Sequence, residues 1–563
     1  AENLTVSAGS EIWGMSGSMI TVTNSLVVEN YGDLYFTIGS VAGDADVVTL
    51  IKGYEGIDYT NVDVRSSKED GYVKVVGNDN NLYAIRGTTE TFVVDAAWKD
   101  LTTATEVSFD GKNYIIDFNA FTNMDGILSR YAANAEANEK TTEIVFASDA
   151  ESNAADNAKK YLYTNIDMTF KAAGDTPVTV TVHGQRFYLM NVYDLDSEHK
   201  PVKKADMPVI TIDKNVNLVT DGVLMLGQNV DEDDIDAYGN PTRDPGAVKL
   251  VVNGSVKAYH YYVASNSELL VTETGKILKG GEAFLTRAGS TVTVNGDGTK
   301  ADVQFENSYT SMQGGVLNLN NTYMTTGQLW IRSASQGFLR EGSTVNADNT
   351  KIEVNGGADI SADSVLKLAN GTELTVSNDF TNAGTITVDA ASTITTGTLT
   401  NNGTITIDAT GVTSGTHKVI DTDALAGTGS ITAKDGTLSD DMNLVIADND
   451  VYLTDQNQDV IYVGGVNAAG EKSANTNAPS EALQGWNKFD TMKDAFEAGA
   501  LGYNTIDFGN AGRVVSSETF LGTEGTEEEK AQKTAQNTIV LGEGEYTITN
   551  GAGAYLPRLT MNA

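Results

Sequence analysis

The sequence predicts an all-β protein that winds as a parallel β-solenoid from short, stacked coils. Three observations support this fold class. The 563-residue chain contains 56 glycines and seven prolines among many Thr, Val, Ile and Asn residues, and this composition favours strands joined by turns. A short phrase returns after 19 residues, and a longer segment returns after about 369 residues. Units too small to bury their own apolar face become stable when they stack on similar units.

The short repeat lies at residues 379–411. Its first copy, "FTNAGTITVD", begins at Phe380, and its second copy, "LTNNGTITID", begins at Leu399, a shift of 399 − 380 = 19. Ile or Val alternates with Thr in both copies, which is the period of a strand with one buried face. We therefore expect Ile386 to lie against Ile405 in neighbouring parallel coils. A run of antiparallel sandwich domains is the alternative architecture.

The long repeat pairs "GNDNNLYAIRGTTETFVVD" with "IADNDVYLTDQNQDVIYVG". Tyr83 matches Tyr452 and Phe92 matches Ile461, because 452 − 83 and 461 − 92 both equal 369. Each copy is followed by a further predicted strand, "TTEIVFAS" and "YNTIDFGN". The chain is therefore expected to consist of tandem units of about 369 residues.

A short amphipathic helix is predicted after each copy of the long repeat. "FTNMDGIL" from Phe121 aligns with "FDTMKDAF" from Phe489, at 489 − 121 = 368, and Thr122 and Asp490 are the predicted N-caps. The apolar residues at helical spacing are Met124, Ile127, Leu128, Tyr131 and Ala132 in the first copy and Met492, Ala495, Phe496 and Ala500 in the second. We expect these helices to cover open ends of the solenoid, with Trp486 packed beside the second one.

The C-terminal residues resemble the opening of a right-handed parallel β-helix of the pectate-lyase-like superfamily. The resemblance is carried by the strand Ile461-Tyr462-Val463, by the helix at about 490–499, and by the strand-turn-strand from Gly542 to Tyr546. The Asn-Gly coils before it are similar to autotransporter passengers and to adhesin-like repeats of bacterial surface proteins. These resemblances imply a right-handed solenoid in a secreted, cell-surface protein.

The long repeat also predicts how the chain is divided. We expect residues 1–115 to be the C-terminal part of a first β-solenoid unit and residues 116–484 to be a complete unit with an N-terminal capping helix. Residues 485–563 are expected to hold the capping helix and first coils of a following unit. The chain is then a piece of a longer repetitive protein, or a subunit whose open ends meet other copies.

Charge and composition exclude several classes of partner and site. Lys and Arg number 37 against 76 Asp and Glu, giving a formal charge of 37 − 76 = −39. Such a polyanion repels phosphate backbones, so nucleic acid is excluded as a partner. The chain has no Cys, which excludes disulfides and thiolate metal sites. No apolar run reaches the roughly 20 residues of a membrane-spanning helix, so no transmembrane segment is predicted.

The densest acidic run, "NVDEDDIDAYGNPTRDPGA", is the candidate metal site. Calcium prefers clustered carboxylate oxygens, and the candidate ligands are Asp231, Asp233, Asp234 and Asp236. Their spacing departs from the EF-hand loop, because Gly239 follows and no Glu stands at the twelfth position. A solvated acidic loop is the favoured alternative.

Other candidate residues have plain structural readings. Asn295 and Asp297 are oxygen ligands in "VNGDGTKAD", although Asn-Gly-Asp-Gly is foremost a hairpin turn. "HYYVAS", with Tyr261 and Tyr262, either presents aromatic rings to a sugar or stacks them inside the solenoid or at an insertion, and stacking is the favoured interpretation. The four histidines, at 183, 199, 260 and 417, show no metal-ligand spacing, and the acidic segment at 518–538 reads as an exposed insertion.

The expected function is non-enzymatic. We expect an exported bacterial cell-surface protein with a structural or adhesive role, which assembles end to end with other copies or adjacent units. The alternative is a polysaccharide-degrading or glycan-binding β-helix protein, acting on host or environmental glycans with calcium as the cofactor. That alternative predicts clustered Asp, Glu, Arg and aromatic side chains on one face.

Overall fold

The computed structural model shows an all-β protein with large, mostly parallel sheets. The chain divides into two compact units, Ala1–Asn346 (unit 1) and Ala347–Ala563 (unit 2). The structure describes residues 1–15, 18–38, 47–54, 56–66, 72–76, 81–86, 91–94, 105–109, 112–116, 143–146, 149–152, 159–164, 167–172, 174–191, 194–195, 201–202, 207–228, 246–299, 302–333, 341–466, 471–502, 504–509, 526–534, 536–541 and 558–559.

Unit 1 contains 33 complete described strands, and a further strand, β34 (Thr344–Asp348), spans the boundary between the units. The first twelve are β1 (Asn3–Val6), β2 (Glu11–Met15), β3 (Ile20–Thr21), β4 (Ser25–Val28), β5 (Asp33–Ile38), β6 (Val47–Lys52), β7 (Val62–Ser66), β8 (Tyr72–Val76), β9 (Leu82–Arg86), β10 (Thr91–Val94), β11 (Thr105–Phe109) and β12 (Lys112–Ile116). The others are β13 (Glu143–Phe146), β14 (Ala150–Glu151), β15 (Lys159–Thr164), β16 (Met168–Ala172), β17 (Val178–Val182), β18 (Arg186–Asn191), β19 (Asp194–Leu195), β20 (Pro201–Val202), β21 (Val209–Ile212), β22 (Val216–Leu226), β23 (Lys249–Val252), β24 (Ser255–Val263), β25 (Glu268–Val271), β26 (Lys276–Lys279), β27 (Ala283–Arg287), β28 (Thr291–Asn295), β29 (Phe305–Asn307), β30 (Tyr309–Gln313), β31 (Val316–Asn320), β32 (Tyr323–Thr326) and β33 (Leu329–Arg332).

Two parallel sheets dominate unit 1, and the chain alternates between them. The first sheet contains, in spatial order, β10, β13, β16, β21, β23, β25, β28 and β31. The second sheet takes the intervening strands between β14 and β33, apart from the small antiparallel pair β19 and β20. Each passage of the chain therefore lies beside the previous one in the same direction.

The core of unit 1 is built from columns of apolar side chains, one from each passage. In the first sheet the strand registers align seven residues that are each at most 1% exposed: Ile144, Phe170, Ile212, Val252, Val271, Val294 and Leu319. Successive side chains on a strand point to opposite faces, so the residues between them face away from this column. Burial is thus shared between neighbouring passages.

The N-terminal part of unit 1 changes from parallel to antiparallel pairing. The strands β1 and β4, the strands β2, β5 and β7, and the strands β3 and β6 pair in parallel. Strand β6 then pairs antiparallel with β9, which forms a hairpin with β8. A second hairpin, β11 and β12, joins β8. Parallel stacking in this part therefore ends on hairpins.

Among its described residues, unit 2 contains two helices and, after β34, strands β35 to β52. The strands are β35 (Lys351–Val354), β36 (Ala358–Ile360), β37 (Val365–Ala369), β38 (Glu373–Asn382), β39 (Thr385–Asp389), β40 (Thr393–Asn401), β41 (Thr404–Asp408), β42 (Thr416–Ala426), β43 (Ser430–Ala433), β44 (Asn443–Ala447), β45 (Asp450–Thr454), β46 (Val460–Val463), β47 (Gly465–Val466), β48 (Lys472–Ser473), β49 (Lys488–Phe489), β50 (Thr505–Asp507), β51 (Gln536–Val540) and β52 (Arg558–Leu559). The described helices are α1 (Met492–Glu497) and α2 (Glu527–Thr534).

Unit 2 contains two stretches of parallel stacking separated by a hairpin. In the first stretch, β37, β39, β41 and β43 form one parallel series, while β38, β40 and β42 form another with β35 and β36. The hairpin of β44 and β45 then pairs antiparallel with β42. A new parallel sheet follows, in the order β49, β46, β50, β51, β52.

The 19-residue repeat forms neighbouring parallel strands, as predicted. Strand β39 pairs in parallel with β41, and this pairing places Ile386 directly against Ile405, both with no exposed surface. Strands β38 and β40 align Asn382 with Asn401, whose buried side chains share a 2.8 Å hydrogen bond from Nδ2 to Oδ1. Identical residues one repeat apart are therefore in contact. The antiparallel sandwich alternative is excluded for this region.

Helix α1 confirms the second predicted helix, with a corrected start. Thr491, not Asp490, is the N-cap, and its hydroxyl accepts a 3.1 Å hydrogen bond from the Asp494 backbone N–H. Asp490 instead pairs with Lys472 at 2.5 Å. The predicted apolar stripe of Met492, Ala495, Phe496 and Ala500 is buried in a cluster with residues of β46, β49 and β50.

Trp486 does not pack beside α1 as predicted. It lies against a separate cluster formed by Val445, Ala447 and Leu483. The predicted helix around Met124–Ala132, with its N-cap Thr122, and the strand-turn-strand from Gly542 to Tyr546 lie outside the described residues.

Helix α2 forms part of the acidic segment that was predicted to be an exposed insertion. Most of its described residues are exposed or half-buried, but Gln532 is buried, and its Oε1 accepts a 3.0 Å hydrogen bond from the Leu501 backbone N–H. This contact ties the insertion to the residues that follow α1. No helix in the described part of the chain is long and apolar enough to cross a membrane.

Candidate ligand-binding face

A row of side chains crosses the second sheet of unit 1 on the face opposite the core. We call it the aromatic stripe, and it contains one residue from each of seven neighbouring strands. Tyr262 is half-buried while its neighbours Tyr261 and Val263 are almost fully buried, as expected when alternate side chains face opposite ways. The strand registers align Tyr161, Tyr188, Met225, Tyr262, Leu285, Ser311 and Trp330.

The stripe begins with stacked tyrosines. The rings of Tyr161 and Tyr188 lie parallel, with centroids 4.7 Å apart and an interplanar angle of 10°. Burial and the neighbouring Tyr188 raise the pKa of Tyr161. Tyr188, Met190 and Met225 form an apolar cluster separate from the core columns.

Three arginines flank the aromatic stripe, and each contacts an aromatic side chain through its hydroxyl or its ring. Arg186 Nη1 donates to the Tyr188 hydroxyl at 3.2 Å. The Cζ atom of Arg287 lies 5.2 Å from the Tyr262 ring centroid, and that of Arg332 lies 4.6 Å from the Trp330 ring centroid. Cation–π contacts of this kind hold a guanidinium against a flat surface.

Arg287 is held by two side-chain hydrogen bonds. Its Nε donates to the Tyr262 hydroxyl and its Nη1 donates to Gln313 Oε1. Among the described residues, neither Arg186 nor Arg287 forms an ion pair with a carboxylate. Their positive charges are held by neutral groups, in a chain with twice as many acidic as basic residues.

An acidic and aromatic cluster lies beside the stripe. The Tyr259 hydroxyl donates to Glu282 Oε1 at 2.5 Å, and His260 Nε2 lies 2.7 Å from Glu282 Oε2. These hydrogen bonds hold the pKa of Glu282 below its ordinary value and raise the pKa of Tyr259. Tyr309 connects the cluster to the stripe, because its ring centroid lies 5.2 Å from that of Trp330.

The phrase "HYYVAS" divides between the two faces of the sheet. Tyr261 is buried in the core, 5.6 Å from the Phe284 ring, and its hydroxyl donates to the Leu278 backbone oxygen at 2.7 Å. Burial raises its pKa. Tyr262 belongs to the outward stripe. The prediction that these rings stack in the interior is therefore confirmed for Tyr261 and wrong for Tyr262.

The predicted calcium ligands Asp231, Asp233, Asp234 and Asp236 lie outside the described residues. Within the described part of the chain, no group of three or more His, Asp or Glu side chains is arranged to hold a metal ion. Asp297 accepts a 2.8 Å hydrogen bond from the Thr299 backbone N–H, and this contact helps to hold its pKa below the ordinary value. The segment after Asn295 is a turn between sheets, not the predicted hairpin, because β28 and β29 pair with different strands.

The histidines are not gathered into one site. His183 Nδ1 contacts Asp221 Oδ2, and its Nε2 lies 3.8 Å from Glu151 Oε2. His260 belongs to the Glu282 cluster, while His417 Nε2 lies 3.0 Å from the Ser414 backbone oxygen. His199 lies outside the described residues.

Sequence reasoning missed the arginines of this face. A usable signal exists, because Arg186 and Tyr188, and likewise Trp330 and Arg332, stand two positions apart in strands. Strand alternation places such residues on the same face. The chain matches no protein-family description, no curated protein and no solved structure.

Proposed function

We propose that this chain is an exported bacterial cell-surface protein with a structural and adhesive role, and that its coils wind as a right-handed parallel β-helix. The observation that supports this proposal best is the parallel contact between identical repeats, Ile386 against Ile405. One solution to packing and hydrogen bonding is reused from coil to coil. A surface protein extended in this way presents the same kind of outward face many times, which favours multivalent contacts.

Assembly with other copies or adjacent units is part of the proposal. Strand β43 ends its sheet and, among the described strands, pairs only with β41. An unpaired strand edge offers backbone groups to another chain. Sedimentation over a range of protein concentrations tests this part. Replacing Ala433 with Pro in β43 should weaken any self-association, because the N–H groups of Ser430 and Lys434 point toward β41 and strand alternation places that of Ala433 on the open edge. A purely monomeric protein at every concentration would contradict it.

The surface location is tested on cells that produce the protein. Antibodies raised against the purified chain should label intact cells, and external protease should remove the label. Labelling that requires permeabilised cells would overturn the proposal.

A second candidate function is favoured by the aromatic stripe. Aromatic rings, arginines and the Glu282 cluster on one face are the features expected of a polysaccharide-degrading or glycan-binding protein. Incubation with acidic and neutral glycans, with and without calcium, separates degradation from binding. Release of unsaturated or reducing products would make the protein an enzyme, contrary to our proposal.

A further inference from the structure

We infer that the aromatic stripe around Arg287 binds a largely neutral glycan that carries isolated carboxylates, as in a glucuronate-branched saccharide. The inference rests on the adhesive function proposed above, and it names the site and the ligand class. It is carried by three observations: the orientation of Arg287, the absence of an acidic partner for it among the described residues, and the aromatic surface beside it.

Arg287 is positioned before any ligand arrives. A guanidinium has about five N–H donors, and two of those of Arg287 are used by the Tyr262 hydroxyl and Gln313. The remaining donors have no partner among the described residues. A planar guanidinium with adjacent free donors suits a carboxylate, which it can bind through two parallel hydrogen bonds. Because the side chain is already held, less conformational entropy is lost on binding.

Arg287 is one of several described cations, Arg186 among them, that form no ion pair with a described carboxylate. Described lysines such as Lys249, Lys351 and Lys434 each form an ion pair with a carboxylate within 3.1 Å. Arg287 is surrounded instead by Tyr262 and Gln313, which leave its charge unneutralised. An external carboxylate therefore meets a cation that no described carboxylate already occupies.

Sugar rings have apolar faces that stack on aromatic side chains, and the stripe supplies such surfaces. Trp330 is half-buried, and its ring contacts the Tyr309 ring and the Arg332 guanidinium. Three strand spacings separate Tyr262 from Trp330, or roughly 14 Å at about 4.8 Å per strand. A saccharide of a few rings that crosses the strands can contact both aromatic residues while a carboxylate branch reaches Arg287.

The charge of the whole chain decides which anionic glycans are suitable. A polysaccharide with a carboxylate on every sugar is repelled by the net charge of −39. One isolated carboxylate meets the local charge of Arg287 at contact distance, whereas exposed charges farther away than roughly 8 Å are largely screened at physiological salt. The site should therefore prefer sparse over dense carboxylation.

The test compares two xylo-oligosaccharides of equal backbone length, with and without one glucuronate branch, by titration calorimetry on the full chain. We expect the branched probe to bind about tenfold or more tightly, which is the contribution of one charge-assisted pair. In Arg287→Gln this preference should be lost, while binding of the unbranched probe is retained. Lys249→Gln is the matched control, because it removes an ion-paired cation from the first sheet and should leave the preference unchanged.

Several outcomes would overturn the inference. These are equal binding of the two probes, no binding of either at millimolar concentration, an unchanged preference in Arg287→Gln, and tighter binding of polygalacturonate or heparin than of the branched probe. Arg332→Gln serves as a second variant if Arg287→Gln does not fold, and it should weaken both probes. If the saccharide probes do not bind but antibodies label intact cells, only this inference is contradicted. If the probes bind but intact cells are not labelled, the proposed surface function is contradicted.

Discussion

In unit 1 the hairpin of β8 and β9 pairs with β6, and in unit 2 the hairpin of β44 and β45 pairs with β42. We refer to each hairpin together with its partner strand as the first and the second hairpin, and the two pair in the same way 369 residues apart. The first places Val47 against Ile85, and the second places Thr416 against Thr454. Both partners shift by 369, since 416 − 47 and 454 − 85 give the same number. Each pairing is also interrupted one residue after its third pair. The long sequence repeat therefore corresponds to a repeated backbone register.

The buried positions of the two hairpins also correspond. In both regions the equivalent apolar side chains are at most 2% exposed: Leu50, Ile51, Leu82 and Ala84 in the first, and Val419, Ile420, Val451 and Leu453 in the second. The identities differ at most positions, although burial is the same. The two hairpins therefore share their strand register and their buried positions, but they differ in the size of the buried side chains.

A polar contact is repeated with a change of charge. Asn81 Oδ1 accepts from the Gly53 backbone N–H at 3.1 Å, and Asp450 Oδ1 accepts from the Thr422 backbone N–H at 2.8 Å. These positions are also 369 residues apart. Only the second hairpin adds a cation, because Lys418 pairs with Asp450 at 2.7 Å where the first has Thr49. The comparison shows that the backbone contact is the constant feature and the ion pair is an addition.

The largest expected effect comes from the core of the second hairpin. Leu453→Ala copies the residue found at the equivalent Ala84, yet we expect it to cost about 2–5 kcal/mol of unfolding free energy, because it opens a cavity in a site packed around Leu. Urea titration followed by hydrogen exchange of residues 443–454 measures this cost. Ile446→Ala, at a residue 49% exposed, is the control and should cost well under about 1 kcal/mol. Equal costs would show that the shared register alone holds the hairpin.

The shared side-chain to backbone contact is tested at Asp450. Asp450→Ala leaves the Thr422 N–H without its acceptor. This change should lower the free energy of unfolding by about 1–3 kcal/mol. Asp450→Asn should cost less, since Asn81 already makes the same contact in the first hairpin. Hydrogen exchange of the Thr422 amide distinguishes the variants. Equal loss of protection in both would mean that charge, and not the acceptor atom, is what matters.

The added ion pair is tested by transferring the neutral pair of the first hairpin into the second. The double variant Lys418→Thr/Asp450→Asn should be more stable than the sum of the single changes by about 0.5–1 kcal/mol, because Lys418→Thr alone leaves the Asp450 carboxylate without its cation. In Asp450→Asn alone, Lys418 still pairs with Asp421 at 2.9 Å, which keeps the coupling small. Four-way comparison of urea midpoints gives this coupling energy. Strict additivity would show that Lys418 and Asp450 do not interact.

The smallest expected effect is the pH dependence of an ion pair in the parallel stack before the second hairpin. Hydrogen bonds from Lys434 and Thr410 hold the pKa of Asp408 at about 2. A lowered pKa contributes stability that is present above the unfolded value of about 3.9 and is lost as pH falls through about 2. Asp408→Asn should lower the free energy of unfolding by roughly 0.5 kcal/mol at pH 7 and by less near pH 2. Urea titrations at both pH values check this, and a difference that grows at low pH would contradict it.

Where repeats are short and of constant length, the architecture could be read from the amino acids. The shift between Phe380 and Leu399 is 19 residues, and the strands pair at that same shift because no insertion intervenes. Alternating Ile and Thr then decide which face is buried. The helix start was predicted to within one residue. Both Asp490 and Thr491 are suitable caps, and the contact of Asp490 with Lys472 leaves Thr491 in that role.

The aromatic stripe could not be predicted in the same way, because its neighbours are separated by unequal lengths of chain. Successive members lie 225 − 188 = 37, 285 − 262 = 23 and 330 − 311 = 19 residues apart. Strand alternation limits each side chain to one of two faces, and that much is local chemistry. Which side chains meet across strands depends on how each intervening loop returns the chain to the sheet, and only the folded register settles that. Local periodicity thus specifies strands and their buried faces, while the neighbours of Arg287 are a property of the assembled sheet.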